Sequence, residues 1–496
     1  MPTQKTSPNA PVVVGVAQQV WRDGAPGPIE MLAEVVAAAA ADSGAGQRLL
    51  DRSDALCTVR YVSAEHRDPS AMVAKRLGIE PELRIHSSIG GDTPQVAIAE
   101  LSRRIAAGEL DIAVVCGCEA LATFAKQMKA GTDPGWTDEL PDSIPSELLG
   151  SERDPNTAEE VSAGMIAPLM IYPLFESALW ARSGESLGAL SERLGRLQER
   201  YARVARDNPY AWSKSDFEAE HISTASPTNR QVTVPYTKLM NANIQTDQAA
   251  AVIICSESAA NDLGVAKDRR VYLHGASRAT EPWYFSERDD LGSSPALGEA
   301  AAAAFAQAGT DADGVGLLDV YSCFPSAIQI AGNELGIDLL NDSRDPTVTG
   351  GLAFAGGPGN AYVLHSVAAM IEQLREQPDE LGLVTAVGWY MTKHAVGIYG
   401  CRPPNEDFVG PTVIDEPLAA RSVAPIGWTG KGTAETATVL FERDGSPSMG
   451  LLTALLDGGT RALSSTTDRE TVESMLNAPV GGRPLTLDAE RGFWFN

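Results

Sequence analysis

Few side chains in this sequence of 496 residues pair a reactive type with a setting that would use it. Tyr321 and Cys323 follow the apolar run ending at Val320. A phenol donates a hydrogen bond or, with a lowered pKa, exchanges a proton, and a thiolate attacks a carbonyl carbon. Each also has a plain reading. A tyrosine after an apolar strand packs, and Cys323, with no basic neighbour, reads as a small buried hydrophobe. His365, in Asn360-Ala-Tyr-Val-Leu-His365 on a helix, is either a proton carrier or a satisfied core histidine. Lys393 and His394 form either a positive pair facing a cleft or a solvated turn. Asp92 is a base at a helix start or part of its cap, and the cap is the simpler reading. His86, His221 and His274 lack metal-ligand spacing, and Cys116 and Cys118 are too close for a C-x-x-C site, so no metal is expected.

Glycines mark where backbone can approach a ligand: Gly90 and Gly91, then Gly350, Gly351, Gly356, Gly357 and Gly359. The elements that would carry them occur twice. Thr93 caps and Pro94 opens a helix through Ala97, Leu101 and Ile105, followed by an apolar strand from Asp111 to Gly117. Later, a glycine-rich turn at Gly356–Asn360 leads to a helix through Val363, Val367, Met370 and Leu374, then a strand from Gly382 to Gly388. This repetition predicts two α/β halves with parallel sheets covered on both faces and a cleft between them.

The text between the halves, 121–244, is acidic and proline-punctuated, then helical from Pro168 to Arg206, and reads as an insertion over the cleft. Prolines recur from Cys401 to Gly432, marking a linker. Beyond it, alternation at Ala437, Val439 and Phe441, a strand from Met449 to Leu456, and turns at Asp444-Gly445 and Asp457-Gly458 predict a small β-barrel. The domain reading is 1–120 plus 245–262, the insertion 121–244, a second half 263–402, and a linker with barrel over 403–496.

Lys plus Arg number 39 against 65 Asp plus Glu, a net charge of −26, which repels nucleic acid and anionic membranes. An anionic ligand then needs a local cationic site. Hydrophobic residues at 44% and charged residues at 21% fit an ordinary globular chain. Six scattered cysteines argue for reduced thiols, Met1 to Val14 lacks the pattern of a secretion signal, and no apolar run reaches membrane-span length. A cytoplasmic location is expected.

Four segments taken together resemble the active-site loops of the thiolase superfamily, above all the sterol-carrier-type thiolases and thiolase-like proteins. They are Ser87-Ser-Ile-Gly-Gly-Asp-Thr-Pro94, Asp319-Val-Tyr-Ser-Cys-Phe324, Gly350-Gly-Leu-Ala-Phe-Ala-Gly-Gly-Pro-Gly-Asn360, and Gly382 to Gly388 with Trp389-Tyr-Met-Thr-Lys-His394. Cys116-Gly-Cys-Glu119 adds a further match, and the resemblance spans about Val12 to Cys401. It implies a duplicated α/β fold, two βαβαβαββ halves in five α-β-α-β-α layers. The barrel is similar to the oligonucleotide-binding-fold partner of some thiolase-like aldolases, fused in cis.

In that family a cysteine at the first buried helix attacks a CoA thioester, a second moves a proton, and a histidine polarises the thioester oxygen. The resemblance puts these roles at Gly91, Val387 and Gly357, and puts Tyr321 where the family has Asn or His. It implies CoA or acyl-CoA as ligand, with no covalent cofactor. Gly90, Gly91, Asp92, Lys238, Gly351, Gly357 and Lys393 are the candidate binding residues, and Arg230 and Tyr236 lie beside Lys238. Tyr321, His365 and His394 are the remaining catalytic candidates. The expectation is a CoA-thioester-binding protein of lipid metabolism unable to perform ordinary thiolysis. The alternatives are a cysteine-independent retro-aldol lyase using Tyr321 and an acetyl-CoA acetyltransferase. The family pairs through the edge strand at about Leu83 to Ser88, so a homodimer is the family expectation; the polar residues of this edge leave a monomer open.

Overall fold

The structure, a computed structural model, describes residues 6–496. Met1 to Lys5, where the first predicted half and the Met1 to Val14 reading begin, lie outside the described residues. The first half supplies β1 (Pro11–Val20), β2 (Ala55–Thr58), β3 (Leu83–Ser87) and β4 (Ile112–Ala120). The insertion adds β5 (Glu147–Leu149), and the chain returns as β6 (Asp247–Ser256). The second half supplies β7 (Val271–Thr280), β8 (Leu317–Asp319), β9 (Leu381–Gly388) and β10 (Lys393–Gly400), and the linker adds β11 (Thr412–Ile414).

These strands form one ladder in the order β5-β3-β2-β4-β6-β1-β7-β10-β9-β8, with β11 alongside β7. Outward from the β1–β7 seam, each half begins with two antiparallel pairings and then turns parallel: β1-β6-β4-β2-β3 on one side and β7-β10-β9-β8 on the other. The duplicated plan is therefore present. The expectation of parallel sheets needs correction, since the sheets are mixed, and the two halves join at Val12↔Tyr272 and Val13↔Val271. A continuous apolar run reports burial on both faces and carries no information about strand direction.

The helices are α1 (Pro28–Asp42), α2 (Pro69–Leu77), α3 (Thr93–Ala106), α4 (Pro168–Ser183), α5 (Leu187–Asp207), α6 (Pro295–Ala308), α7 (Pro325–Leu335) and α8 (Tyr362–Glu376). α3 touches β4, β6 and β1 as well as β7 and β10, and α8 likewise touches strands of both halves. The sheet thus folds about its seam over a middle layer of two helices. α1 and α2 cover one outer face and α6 the other, which gives the five layers. α3 starts well because Pro94 lacks the N–H that a first turn cannot use. Thr93 is already helical and its hydroxyl donates back to Gly90 O at 2.8 Å, so it is not the cap.

The predicted helix Pro168 to Arg206 is two helices, separated at Gly184, whose φ of 67° is a glycine conformation. Past the linker, β12 (Gly430–Phe441), β13 (Pro447–Leu455), β14 (Arg461–Thr466), the helix α9 (Arg469–Ser474), β15 (Pro484–Asp488) and β16 (Gly492–Phe495) follow. They form a separate antiparallel sheet, β14-β13-β12-β15-β16. It docks on the body through the fully buried Arg461, which pairs with Glu435 at 2.6 Å and donates to the carbonyls of Ser286 and Arg288, each at 2.6 Å. No described helix is long and apolar enough to cross a membrane.

Candidate functional site

Three of the four glycine-bearing or aromatic loops converge at the start of α3. A Cβ built on Gly91 would collide with Tyr321 Oη and lie 2.6 Å from Val387 O. Gly91, Tyr321 and Val387, which lie far apart in sequence, are thus in direct contact. Tyr321 is held by its backbone N–H, which donates to Thr385 Oγ1 at 2.9 Å, and by its ring standing edge-on to Tyr362 at 5.5 Å. No described residue forms a hydrogen bond with its Oη, and the residue is 7% exposed. Burial holds its pKa well above the phenol range, so it keeps its proton at neutral pH and can donate a hydrogen bond.

Beside it, Lys393 Nζ lies 3.2 Å from Asp92 Oδ1 and donates to Ile89 O at 2.9 Å, with both side chains nearly buried. Asp92 is the N-cap residue of α3, as the cap reading has it, but its side chain makes no capping bond and the carboxylate serves as the lysine's counterion. Strand alternation explains the next residue. His394 turns to the other face of β10, where its Nε2 lies 3.0 Å from Ser294 Oγ and 3.0 Å from Met391 O. Lys393 and His394 therefore do not act as a pair, and both are buried rather than on a solvated turn.

The loop Trp389–Thr392 between β9 and β10 carries left-handed backbone at Trp389 (φ 56°) and Met391 (φ 57°). Such backbone persists only where the surroundings fix it. Here Tyr172 Oη donates to Trp389 O at 2.9 Å and accepts from Met391 N–H, while the buried Arg288 donates to Tyr390 O at 2.8 Å.

Asn360 clamps two loops. Its Oδ1 accepts from Gly90 N–H at 2.9 Å and its Nδ2 donates to Arg60 O at 2.7 Å. Buried Glu119 accepts from the N–H groups of Val62 and Ser63 and lies against Gly359. Gly350 and Gly351 pass under α5. A Cβ on Gly350 would strike Ala205, and one on Gly351 would lie 2.6 Å from Ser322 Oγ and 2.7 Å from Tyr201. Asp319 sets this turn by accepting from the hydroxyls of Thr347 and Thr349. Gly357 differs, since a Cβ there meets nothing nearer than 3.4 Å, and space alone does not require glycine.

The other candidates lie apart from this cluster. His365 is buried on α8 with Nδ1 3.0 Å from Gln18 Oε1, and burial pushes its pKa to about 3. Lys238 is exposed on a one-turn helix that touches the Gly351 turn. Tyr236 is fully buried, donating to Glu176 at 2.8 Å, so it cannot meet a phosphate at the surface. Burial pushes the Cys323 thiol to about 12, which fits a buried hydrophobe. Among the described residues no group of His, Cys, Asp and Glu could hold a metal.

Comparison with known proteins follows from this geometry. Residues 411–490 match the family described as thiolase-like protein type 1 additional C-terminal domain. A monomeric SCP2-thiolase like protein type 1 from Mycobacterium smegmatis superposes with a TM-score of 0.84 at 29% identity, covering 99% of this chain and 100% of that one. The chain is thiolase-like along its whole length. The benzoylsuccinyl-CoA thiolase subunit BbsB of Thauera aromatica is 28% identical over 204 residues, 38% of this chain, which spans about half (51%) of that relative's length. The Ltp2-ChsH2(DUF35) aldolase shares the fold at a TM-score of 0.59 and 19% identity, over 79% of this chain and 98% of that one.

Within this thiolase-like chain, sequence reasoning missed Arg288, which no motif marks, and Asn360, whose place after the glycine run was the one available signal. It also missed β5, a three-residue strand that pairs in parallel with β3 through Ile85↔Glu147, His86↔Leu148 and Ser87↔Leu149. The expected pairing edge, Leu83 to Ser88, is thus covered by the chain itself.

Proposed function

We propose that this chain binds an acyl-CoA thioester beside Tyr321 and does not carry out thiolysis. One observation carries the reading: the tyrosine's Oη occupies the volume that any side chain on residue 91 would need. A cysteine nucleophile has no room there, and the nearby Cys323 is held protonated by burial. What remains suits non-covalent recognition. The phenol offers a free O–H to a thioester oxygen, Lys393 adds a positive charge balanced by Asp92, and the glycine turns let backbone approach the ligand. Lys238 is the candidate for a CoA phosphate. The C-terminal sheet is read as an oligonucleotide-binding-like barrel, the location as cytoplasmic, and the chain as a monomer, because β5 already covers β3.

Titration calorimetry with CoA and acetyl-CoA tests the reading. Saturable binding of acetyl-CoA is expected, with no consumption of free CoA thiol when acetoacetyl-CoA and CoA are supplied together. Thiol consumption at a rate typical of enzymes, or no binding at millimolar ligand, overturns it. A second reading rests on the same unpartnered phenol: a retro-aldol lyase in which Tyr321 hydrogen-bonds the thioester oxygen as negative charge gathers there. Cleavage of a β-hydroxyacyl-CoA to an aldehyde or ketone and a shortened acyl-CoA, abolished by Tyr321→Phe, would establish it over the first.

A further inference from the structure

Lys393 is buried, whereas every other described lysine is exposed. A lysine is almost never fully buried unless it is paired, and burying an ion pair adds little stability, because lost hydration offsets the attraction. The fold nevertheless makes room for this one. A Cβ on Gly90 would strike Lys393 Nζ, and a Cβ on Gly388 would strike Asp92 Oδ1 and lie 2.7 Å from Lys393 Cε. Two glycines from different halves thus form the slot that the lysine and its counterion fill.

The ammonium carries three hydrogens. Asp92 Oδ1 lies 3.2 Å from Nζ, Ile89 O accepts at 2.9 Å, and no described residue takes the third hydrogen. With 10% of its surface open, the side chain is enclosed without being sealed. Gly91, the next residue along the loop, abuts Tyr321 Oη, so a carbonyl compound held at Nζ has a hydrogen-bond donor beside the same loop. An amine, a carboxylate close enough to move its proton, and a phenol on the neighbouring glycine are the parts that carbonyl condensation uses.

We propose that Lys393 condenses with the carbonyl of a small ketone or aldehyde to form a Schiff base. Asp92 takes a proton from the ammonium, the nitrogen lone pair attacks the carbonyl carbon, and the proton passes to the carbonyl oxygen. The C–O bond then breaks, and that oxygen leaves as water with the two hydrogens the nitrogen has lost. The iminium has the charge of the ammonium it replaces, so Asp92 is counterion to both. Its C=N bond accepts the electron pair released when a bond to the neighbouring carbon breaks. This activity goes beyond thioester binding, which assigns Lys393 only a charge.

The test incubates the full chain with acetone and sodium cyanoborohydride, which reduces an iminium to a stable secondary amine, and maps the alkylated lysines by mass spectrometry after digestion. Lys393 is expected to react about 100-fold faster than the exposed Lys126, the low end of what a placed acid–base group contributes. Lys393→Arg keeps a cation for Asp92 but offers no amine, so the fast site should vanish while Lys126 reacts as before. Should that variant fail to fold, the native chain in urea decides, since unfolding should abolish the difference between the two lysines. Alkylation of Lys393 no faster than that of Lys126, a fast site that persists at another residue in Lys393→Arg, or a difference that survives urea overturns the proposal. Acetone carries no thioester, so the outcome is independent of thioester binding.

Discussion

Tyr321 places its hydroxyl where a side chain on Gly91 would begin. The two residues are coupled sterically although they belong to different halves of the fold. Gly91→Ala is expected to cost about 1–3 kcal/mol through overpacking, and Tyr321→Phe, which removes only the oxygen, should recover part of that loss. Urea unfolding of both single variants and the double variant should give a coupling of about 0.5–2 kcal/mol. Strict additivity would mean that the phenol does not fill that space.

Arg461 is a second fixed point. Its guanidinium is fully buried between Glu435 and the carbonyls of the Ser286–Arg288 turn. Arg461→Met removes the cation from that carboxylate, which keeps only the Thr453 hydroxyl as a donor, leaves those carbonyls without one, and should lower stability by about 3–5 kcal/mol. A loss below about 1 kcal/mol in urea would place the C-terminal sheet on the body by other means.

His365 and His394 are both pushed to about 3 by burial. Both values lie below the unfolded histidine value of about 6.5. The stability tied to each neutral ring is therefore complete above about pH 6.5. It is lost as pH falls towards the folded value, by about 1.4 kcal/mol per pH unit per ring. The stability difference between the native chain and His365→Gln should shrink by about 2 kcal/mol between pH 7.5 and pH 5. A pH-independent difference would show that the ring protonates as easily in the folded chain.

Sedimentation velocity should find a single-chain mass over a wide range of concentration, because β5 already occupies the free edge of β3. Prolines at 147 and 149 would strip β3 of its cover, and a concentration-dependent dimer or aggregate should appear. A native chain that sediments as a dimer would locate the pairing surface elsewhere.

The duplicated halves were legible because two helix-and-strand passages, at Thr93 to Gly117 and Gly356 to Gly388, repeat the same periodicities. The convergence of Gly91, Tyr321 and Val387 came from the resemblance to known loops, since no local pattern joins residues so far apart. Strand direction was not legible, because Ala249 to Cys255 is as apolar as any parallel core strand and yet runs antiparallel to both neighbours. Asp92 and Lys393 could be read only singly, because their ion pair depends on which face of β10 each side chain takes. Arg288 and Arg461 escaped notice for a similar reason. An arginine on paper belongs to the surface, and only the tertiary structure shows the carbonyls that bury it.

The seam also bears on how the chain is made. Val12 pairs with Cys255 on one side and Tyr272 on the other, so β1 finds both of its neighbours only after the entire insertion has been synthesised. Until then its apolar backbone has two open borders, and a nascent chain halted before Asp247 is the species on which a chaperone's grip, or clumping without one, is decided.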